Sequence, residues 1–495
     1  MKRLSELLEQ AGLKQKENGL LHFPIRRIVS DSRAVQKGDL FVALVGPNLD
    51  GHSFILEAIQ SGAVAVIAQA GRLVPVNTST QLPIIRVKDT SLAFGNLLAG
   101  FYELAKHPIR LIGVTGTNGK TTTAYLIHYL LNRLSSCGMI GTIQYTWKEN
   151  KIKASNTTPG QAVLIPLLSQ MARDEISYCV MEVSSHALDQ ARTAGINFEA
   201  AIFTNLTQDH LDYHKTFENY YQAKRKLFLN EPTPKYRIIN VDDPYGKRLA
   251  KEISEGMVTY GISNVCDWRA EHVRVSLAGG RFELVADGVR RRVETKLPLY
   301  HNSYNILAAL SAVSQMGFSL EKTIPLIQAF CGVPGRMQRV DEGQSFHVFV
   351  DYAHTPDAFQ NVFSCVKQLA KGKIISVFGC GGNRDRVKRP LMGRIASESS
   401  EVIFLTDDNP RHEKSSDIID EIERGIPPSS GAAIHRIPDR REAIREAIQL
   451  AQPEDLVLIL GKGHESEQMA GDQVTHFDDS EIARESLRNL EKITH

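Results

Sequence analysis

The segment LIGVTGTNGKTTT, from Leu111 to Thr123, joins an apolar run to a glycine-rich turn. The apolar residues up to Thr115 predict a short strand, and the residues after the turn predict a helix that continues to Leu134. A strand, a glycine-rich loop and a helix in this order are typical of a phosphate-binding loop, because backbone N–H groups and the helix N-terminus surround the phosphate oxygens. We therefore predict that this segment binds a nucleoside triphosphate.

Individual residues of the loop suit that role. Gly116 and Gly119 allow the backbone amides to close around a phosphate. Lys120 is placed to reach the β- and γ-phosphates, and the hydroxyl of Thr121 is placed to bind magnesium. The usual pattern has glycine where this chain has Val114. The alternative is a polar turn with an incidental lysine, and the predicted strand and helix on either side favour the phosphate loop.

The overall composition excludes several classes of protein. A chain of 495 residues has room for about three domains of ordinary size. Its net charge of +2 gives no reason to expect a nucleic-acid-binding or membrane-binding surface. No apolar run reaches the roughly eighteen residues of a membrane span, and Glu6 and Glu9 interrupt the N-terminal segment where a signal peptide would be apolar. Six scattered cysteines without a CxxC pair favour free thiols, and we expect a cytoplasmic protein.

Hydrophobic patterning predicts an α/β protein with three domains. Residues 1–108 alternate short β-rich runs with helices and predict a small N-terminal α/β domain. Residues 109–334 alternate strands and helices as in a parallel sheet with crossover helices, so we predict a central P-loop ATPase-like domain with an antiparallel accessory sheet at 263–299. Residues 335–495 repeat the alternation and predict a C-terminal Rossmann-like α/β domain.

Four predicted strands of the last third each end in a polar or glycine-rich loop. The strands begin at His347, Ile374, Val402 and Leu456, and the loops read DYAHTPD, GCGGNRDR, DDNPRHE and GKGHE. In an open parallel sheet, ligands bind beyond the carboxyl ends of the strands. These four loops are therefore predicted to form one site.

Two polar segments of the central region contain candidate metal ligands. Glu182 ends an apolar run, and a carboxylate there is costly to bury unless it holds a cation or a hydrogen-bond network. We favour magnesium over a structural ion pair. His210, in TNLTQDHLDYH, follows a predicted strand, and we favour a metal-side role over a solvated helix start. A Ser/His hydrolase at Ser185 and His186 is disfavoured, because adjacent side chains seldom face one another and no GxSxG elbow is present.

Several of these segments occur together, in the same order, in a known family. The segments GTNGKT, MEVSSH, TNLTQDHLDYH, YYQAKRKLF, HNSYNILAA, GRMQ, DYAHTPD and GKGHE resemble the motif set of the Mur ligases over essentially the whole chain. The resemblance implies an ATP-dependent, amide-forming enzyme of peptidoglycan precursor synthesis, and hence a role in cell wall biogenesis, cell shape and cell division. It also accounts for valine at 114, which is the family's own pattern. Within the family, NTTP at 156–159, the DSR loop at 31–33 and DNPR at 408–411 are similar to the ligase that adds the third amino acid.

The resemblance implies a chemistry in which ATP activates a carboxylate as an acyl phosphate before an amine attacks it. Catalytic roles are implied for Lys120, Glu182, His210 and Lys224. Thr121, Glu182 and His210 would hold two magnesium ions, because carboxylate and triphosphate must be brought together. Lys224 alone would be taken for a surface lysine. In the family this lysine reacts with carbon dioxide, and the resulting carbamate is an anionic metal ligand.

Two further sets of residues are implied to bind the larger substrates. ATP would contact the phosphate loop and residues further along the chain: Gly116, Thr117, Asn118, Gly119, Lys120, Thr121, Thr122, Asn302, Asn305, Arg336 and Asp351. The UDP-N-acetylmuramoyl dipeptide would contact the N-terminal loops and the central region: Ser30, Ser32, Pro47, Asn48, Leu49, Asn156, Thr157, Thr158, Ser184, Gln190 and Arg192.

The amine donor is inferred from the last third of the chain. Diaminopimelate differs from lysine by a second carboxylate, and a guanidinium binds a carboxylate with two parallel hydrogen bonds. Arg411 in DNPR supplies that group, Arg389 is a candidate for the other carboxylate, and Glu465 with Gly461 could accept from the distal ammonium. Asp408, Asn409 and Pro410 complete the implied site. We therefore predict meso-diaminopimelate.

Three alternatives remain open at this point. The same ligase could add L-lysine, a folylpolyglutamate synthetase-like ligase shares the loop and the amide-forming step, and a P-loop switch would have no synthetic role. The expected partners are the small-molecule substrates alone, with no nucleic acid and no membrane, and nothing in the sequence demands more than a monomer.

Overall fold

A computed structural model describes residues 2–13, 22–46, 49–74, 82–106 and 108–493 of the chain. The chain divides into two compact units, Met1–Arg269 with Tyr304–Thr323, and Ala270–Ser303 with Ile324–His495. These units do not match the three predicted domains one to one, so the boundaries at residues 108 and 334 stay predictions. Within the described residues, no helix is both long and apolar enough to cross a membrane.

The N-terminal part of the first unit contains a small parallel sheet. Its elements are β1 (Lys2–Arg3), α1 (Leu4–Gln10), β2 (Pro24–Ile25), β3 (Ile28–Val29), β4 (Asp39–Val42), α2 (Ile55–Gln60), β5 (Ala63–Gln69), β6 (Ile84–Val87) and α3 (Thr90–Phe101), with short 3-10 helices at Ser32–Ala34, Gly51–Phe54 and Leu104–Lys106. The sheet has the order β3-β4-β5-β6 and all its pairs are parallel. Strand β4 is buried throughout, so it forms the centre of this layer. The small α/β region predicted for the first hundred residues is confirmed.

The central part of the first unit contains a larger parallel sheet around β7. Its elements are β7 (Arg110–Thr115), α4 (Lys120–Leu134), β8 (Cys137–Ile140), β9 (Gln144–Trp147), β10 (Asn150–Lys153), α5 (Gln161–Arg173), β11 (Tyr178–Glu182), α6 (Ser185–Asp189), β12 (Phe198–Phe203), α7 (Leu211–His214), α8 (Phe217–Leu229), β13 (Tyr236–Asn240), α9 (Pro244–Glu252) and β14 (Met257–Gly261). Strands β8, β11, β7, β12, β13 and β14 pair in that order, all parallel. Strands β9 and β10 continue the β8 edge as an antiparallel hairpin that the patterning did not predict.

The position of β7 explains the valine at 114. Val114 is fully buried and pairs with Glu182 of β11 on one side and with Ile202 of β12 on the other. The residue therefore belongs to the centre of the sheet, where a β-branched side chain packs well, and the turn begins two residues later. This register also places Glu182, the last residue of β11, at the same edge of the sheet as the phosphate loop.

The second unit contains the accessory strands and a second parallel sheet. Its elements, with those that cross between the units, are β15 (Trp268–Ser276), β16 (Gly279–Ala286), β17 (Val289–Thr295), α10 (His301–Gln315), α11 (Leu320–Ala329), β18 (Gln338–Val340), β19 (His347–Asp351), α12 (Pro356–Lys367), β20 (Ile374–Phe378), α13 (Lys388–Ser397), β21 (Val402–Leu405), α14 (Ser415–Glu423), β22 (Ala433–Arg436), α15 (Arg440–Leu450), β23 (Leu456–Leu460), β24 (Glu467–Ala470), β25 (Gln473–His476) and α16 (Asp479–Ile493). Strands β16 and β17 are antiparallel, as the glycine-punctuated pattern predicted.

The sheet of the last third has the order β18-β19-β23-β20-β21-β22. Strand β18 is antiparallel to β19, and the other pairs are parallel. Strands β20 and β23 are buried along their whole length because α12, α13 and α14 pack with one face of this sheet and α15 and α16 with the other. The four loops predicted to form a site follow β19, β20, β21 and β23, which are neighbours in the sheet, so the loops meet at one edge.

Candidate functional site

The phosphate loop of the first unit requires both of its glycines. Gly119 caps α4 with a φ of 84°, a left-handed conformation that favours glycine. A Cβ atom at this position would collide with the side chain of Asn305, and one at Gly116 would collide with the hydroxyl of Thr204. Asn305, an implied ATP ligand, also accepts a 3.3 Å hydrogen bond from Thr123, so the structure brings it beside the loop.

A second segment, Thr204 to Thr207, holds the phosphate loop in place. Asn205 accepts from the backbone N–H of Asn118 through Oδ1 at 2.9 Å and from that of Thr117 through its carbonyl at 2.9 Å. Thr204 donates to the carbonyl of Asn118 at 2.6 Å, and the backbone N–H of Thr207 donates to Thr117 Oγ1 at 3.0 Å. Thr204 and Asn205 were not predicted from the sequence, although both lie in the TNLTQDHLDYH segment immediately after a strand.

Two lysine amines converge on one backbone carbonyl of the loop. Lys120 Nζ donates to the carbonyl of Gly116 at 2.9 Å and to that of Thr117 at 2.8 Å, and Lys224 Nζ donates to the same Gly116 carbonyl at 2.7 Å. Lys224, on α8, is only 1% exposed, and its amine lies 4.4 Å from the ring centre of Tyr220. Burial lowers the pKa of Lys224 well below its ordinary value, and the cation at Lys120 lowers it further. Lys224 is therefore buried beside the phosphate loop and does not have the surface position that its sequence alone suggests.

Glu182 is buried in a network of neutral donors beside the loop. Its Oε2 accepts from the hydroxyl of Thr121 at 2.8 Å and from that of Thr142 at 3.1 Å, and its Oε1 accepts from the backbone N–H of Thr142 at 2.8 Å. The carboxylate thus lies against the hydroxyl that the sequence assigned to magnesium. The donors of these three hydrogen bonds are neutral, so none of the three is an ion pair. Thr142 was not predicted, because no local pattern connects it to a residue 40 positions away.

His210 lies beside a cluster of rings from His186, Tyr213 and His214. His210 precedes α7 with a φ of 52°, and its ring lies 4.9 Å from that of His186, which lies 4.2 Å from the ring of Tyr213. Burial lowers the pKa of His210; Asp209 opposes this effect, whereas the cations at Lys120 and Lys224 add to it. A neutral imidazole is the form that binds a metal.

The serine beside His186 has a different partner. Ser185 Oγ lies 2.9 Å from Nε2 of His214, a buried residue that stacks on Tyr220. The imidazole that contacts the serine hydroxyl is therefore that of His214, from a segment 29 positions away in the chain.

The residues implied to hold the muramoyl peptide lie around the end of β11, the strand that ends at Glu182. Thr158 Oγ1 donates to the carbonyl of Glu182 at 2.7 Å and accepts from the N–H of Ser184 at 3.0 Å. Arg192 donates to the carbonyl of Thr158 at 3.1 Å and to Oε1 of Gln190 at 2.7 and 3.0 Å. Thr157 lies 3.1 Å from Thr142 through their hydroxyls, and Asn156 is exposed. The structure brings this set together around the end of β11.

The implied uridine-side residues are less close to one another. Ser32 is buried and donates to Glu57 at 3.0 Å, Ser30 is half-buried, and Leu49 is 68% exposed. Pro47 and Asn48 lie outside the described residues. This part of the predicted site stays a prediction.

In the second unit, two of the residues implied on the ATP side, Asn302 and Asp351, are buried, and Arg336 is half-buried. Asn302 donates to the carbonyl of Pro298 at 2.6 Å, and Asp351 accepts from the N–H groups of Met337 and Ala353 at 2.7 and 2.8 Å. Burial raises the pKa of Asp351, against the cation at Arg336. The guanidinium of Arg336 lies 5.0 Å from the ring centre of Tyr352.

The DNPR loop is hydrogen-bonded to the segment that follows β23. Asn409 Oδ1 accepts from the N–H of Met469 at 2.9 Å and from the fully buried amine of Lys462 at 3.3 Å, and its Nδ2 donates to Glu465 at 3.2 Å. Arg411, with a φ of 52°, donates through Nη1 to the carbonyl of Gly382 at 2.9 Å. The structure therefore brings Asn409, Arg411 and Glu465 to one edge of the sheet.

Close packing also connects Gly461 to this loop. Gly461 has a φ of 113°, and a Cβ atom there would lie 2.9 Å from Oδ2 of Asp408. The positive φ favours glycine here, and a larger residue would also require the Asp408 carboxylate to move.

Arg389 occupies a different environment from the one that the resemblance implies. Its side chain is fully buried and donates to Glu413 at 2.8 and 3.0 Å, to Glu421 at 2.9 Å and to the carbonyl of Gly381 at 3.1 Å. Its Nε is buried without a hydrogen-bond partner in the described structure. Both terminal nitrogens of this guanidinium therefore already donate hydrogen bonds to protein carboxylates.

A separate group of metal-type side chains lies on the accessory strands. Glu271, His272 and Glu283 bring their ligand atoms within 4.8 Å of one another. Arg290 forms ion pairs with both carboxylates, at 2.5 and 3.1 Å. Its guanidinium supplies the positive charge that these acids need, so the group has a structural explanation.

Comparisons with known proteins agree with this geometry. Three family models match consecutive segments: the Mur ligase family catalytic domain at residues 24–102, the Mur ligase middle domain at 114–313 and the Mur ligase glutamate ligase domain at 335–463. The UDP-N-acetylmuramoyl-L-alanyl-D-glutamate--2,6-diaminopimelate ligase 1 of Clostridium acetobutylicum is 41% identical over 95% of this chain and 96% of its own length. The corresponding ligase of Geobacillus kaustophilus is 43% identical over 92% of this chain and 94% of its own length.

A solved structure extends the likeness to three dimensions. The structure of a UDP-N-acetylmuramoyl-L-alanyl-D-glutamate--2,6-diaminopimelate ligase matches with a TM-score of 0.75 and 33% identity over 99% of both chains. The predicted α/β architecture, with an N-terminal, a central and a C-terminal domain, is thereby confirmed. The phosphate loop, the buried carboxylate beside it and these full-length relatives lead to one conclusion: the chain belongs to the Mur ligase family.

Proposed function

We propose that this chain is an ATP-dependent ligase that joins meso-diaminopimelate to the D-glutamate of UDP-N-acetylmuramoyl-L-alanyl-D-glutamate during peptidoglycan precursor synthesis. The observation that carries the proposal is the juxtaposition of a phosphate loop, the Thr121–Glu182 pair and two convergent lysines at one sheet edge. Relatives of 41 and 43% identity over nearly the whole chain carry the name of this activity.

Amide formation needs the acceptor oxygen to become a leaving group. The substrate carboxylate attacks the γ-phosphorus of ATP, the bond to ADP breaks, and an acyl phosphate forms. The amine then attacks the acyl carbon, loses a proton, and phosphate departs. Lys120, which donates to the carbonyls of Gly116 and Thr117, would bind the transferred phosphate, while the N–H groups of the loop orient the triphosphate.

The donor set beside the loop fits magnesium. Thr121, Glu182, His210 and the carbamate of Lys224 would hold two ions, and magnesium there would neutralise the charge of the triphosphate and the carboxylate. Glu182 fits because it is a buried carboxylate beside the loop whose oxygens accept hydrogen bonds from the neutral hydroxyls of Thr121 and Thr142 and from one backbone N–H.

Lys224 fits the carbamate because its environment favours the neutral amine. A neutral amine attacks the carbon of carbon dioxide, forms an N–C bond and loses a proton, which leaves an anionic carbamate. Burial and the cation at Lys120 both favour the neutral amine, and the carbamate would then face that cation. Without this step, a cationic Lys224 would repel magnesium.

The amine donor is assigned to the edge of the second parallel sheet. Arg411 would bind the distal carboxylate of diaminopimelate, since only its Nη1 donates a hydrogen bond within the described structure. Glu465, with its side chain 37% exposed, would accept from the distal ammonium, beside Gly461 and Asp408. Arg389 stays a second candidate for a carboxylate through its unpartnered Nε, although Glu413 and Glu421 hold its other nitrogens.

The proposal extends to the setting of the enzyme. We infer a monomer in the cytoplasm that acts on small molecules alone. All six cysteines are free thiols, which suits a reducing compartment.

An amino-acid panel tests the function. The purified enzyme is supplied with ATP, magnesium, bicarbonate, the UDP-muramoyl dipeptide and one amino acid at a time, and the product mass is measured. We expect a product with diaminopimelate, and ADP release that depends on both the dipeptide and the amino acid. A product with L-lysine alone would favour the lysine-adding ligase, glutamate addition to a folate would favour the folylpolyglutamate alternative, and ATP hydrolysis indifferent to both substrates would favour a switch.

A further inference from the structure

A buried ion pair adjoins the two loops that carry DNPR and GKGHE. Arg440 is the first residue of α15 and Asp479 the first residue of α16, and both side chains are fully buried. Arg440 Nε donates to Asp479 Oδ1 and Nη2 donates to Oδ2, each at 2.7 Å. The carboxylate therefore fixes the plane of the guanidinium.

Arg440 also donates hydrogen bonds to one backbone carbonyl beside each of the two loops. Nη2 donates to the carbonyl of Leu460 at 3.0 Å, and Nη1 donates to the carbonyl of Asp407 at 3.3 Å. Leu460 precedes Gly461, and Asp407 precedes Asp408. Because the guanidinium is a rigid fork, these bonds fix the distance between the two backbone segments.

The acids around Arg440 favour its charged form. Burial opposes that form, but Asp479 raises the pKa of Arg440 above its ordinary value, and Asp408 and Glu465 act in the same direction. The guanidinium therefore stays charged, and a charged donor makes the stronger hydrogen bonds to the two loop carbonyls.

Stability alone is a weak explanation for the pair. Replacing a buried ion pair by apolar residues of similar volume is often neutral or stabilising, because the ions lose their hydration on burial. The contacts of Arg440 with two loop carbonyls, in contrast, have a direct consequence for the geometry of the site.

We propose that Arg440, held by Asp479, is a positioning residue that sets the separation of the two loops from which Arg411 binds the distal carboxylate and Glu465 the distal ammonium of the diamino acid. Arg440 touches no substrate, and its effect passes through the carbonyls of Asp407 and Leu460. The inference rests on the proposed function, which assigns the amine donor to these loops.

The test removes both charges together, so that neither is left unpaired in the interior. In the double variant Arg440→Met with Asp479→Leu, we expect KM for diaminopimelate to rise at least tenfold, with KM for ATP and for the dipeptide within twofold of wild type. Arg440→Lys keeps the charge but lacks the planar guanidinium with its several donors, so we expect an intermediate rise of KM for diaminopimelate. The matched control is Arg441→Gln with Glu485→Gln, which removes an exposed pair between the same two helices, with atoms 2.6 Å apart, and should leave all three constants unchanged.

Hydrogen–deuterium exchange, measured without substrates, separates this inference from the proposed function. Peptides covering 407–411 and 461–465 should exchange faster in the double variant, and in Arg440→Lys to a smaller degree, than in wild type and the control. If exchange is faster in the double variant but the wild-type enzyme ligates no amino acid, the proposed function is contradicted, whereas the role of Arg440 in holding the two loops is supported. Unchanged exchange and unchanged KM in the double variant would overturn the inference, as would an equal rise of KM for all substrates. If the double variant does not fold, Arg440→Lys decides by the same two measurements.

Discussion

At the scale of single residues, two amines share one acceptor, the carbonyl of Gly116. The arrangement keeps Lys120 and Lys224 close, and the buried member is the one whose cationic form costs more. The chemistry proposed for Lys224 follows from this difference, since a neutral amine reacts with carbon dioxide and an ammonium does not.

We expect Lys224→Ala to lower the ligation rate by about 100-fold or more, because a metal ligand is lost. Added acetate or propionate should restore part of the activity, since a small carboxylate can take the place of the carbamate. Product formation over time measures both effects. Lys251→Ala, at an exposed position on α9, is the control. Absence of any rescue in a variant with a normal fold would count against the carbamate.

Arg411 is expected to choose between two similar amine donors. Arg411→Ala removes the guanidinium proposed for the distal carboxylate, so the ratio of kcat/KM for diaminopimelate over L-lysine should fall by about 100-fold. Arg445→Ala, which removes an exposed arginine of α15, should leave the ratio unchanged. An unchanged ratio in Arg411→Ala would show that another group recognises the second carboxylate.

At the scale of the secondary-structure elements, the turn between β7 and α4 depends on glycine at two positions. In Gly119→Ala, the new methyl group would meet Asn305 and the φ of 84° would be strained. We expect a loss of about 1–3 kcal/mol in the free energy of unfolding and at least about tenfold weaker ADP binding. Calorimetry of ADP binding measures the second effect. Gly160→Ala is the control, since its Cβ would meet no atom within 4 Å at a φ of −68°. Equal ADP affinity in both variants would contradict the assignment of this turn to phosphate.

At the scale of the whole molecule, the buried Lys224 couples stability to pH. The folded-state pKa is lowered, so between that value and the unfolded pKa near 10.4 the unfolded chain binds one proton more than the folded chain. Stability contributed by this group therefore rises with pH across that window, by about 1.4 kcal/mol per pH unit.

Lys224→Met should remove this contribution. The free energy of unfolding is measured in urea at pH 7, 8 and 9 without carbon dioxide. It should rise with pH less steeply in the variant than in wild type, and the two slopes should differ by the contribution of one proton, about 1.4 kcal/mol per pH unit. Equal slopes would mean that the folded protein keeps Lys224 protonated.

The sequence by itself determined the parts of this protein that depend on local patterns. The phosphate loop, helix α4, strands β19, β20 and β23 and the meeting of four loops at one sheet edge follow from periodicity, glycine spacing and the rule for parallel sheets. Glu182 could be predicted because a carboxylate at the end of an apolar run is unusual.

Only the tertiary structure decided which distant groups complete the site. Thr142 and Asn205 reach their partners from loops that follow other strands, Glu413 and Glu421 hydrogen-bond to the guanidinium of Arg389, and Arg440 contacts two loops from a helix that carries no motif. These contacts join residues 24 to 87 positions apart, or 20 and 33 positions apart for Arg440. Local propensity has no period that reports them, because packing sets the distance between such side chains, and burial then sets their charge.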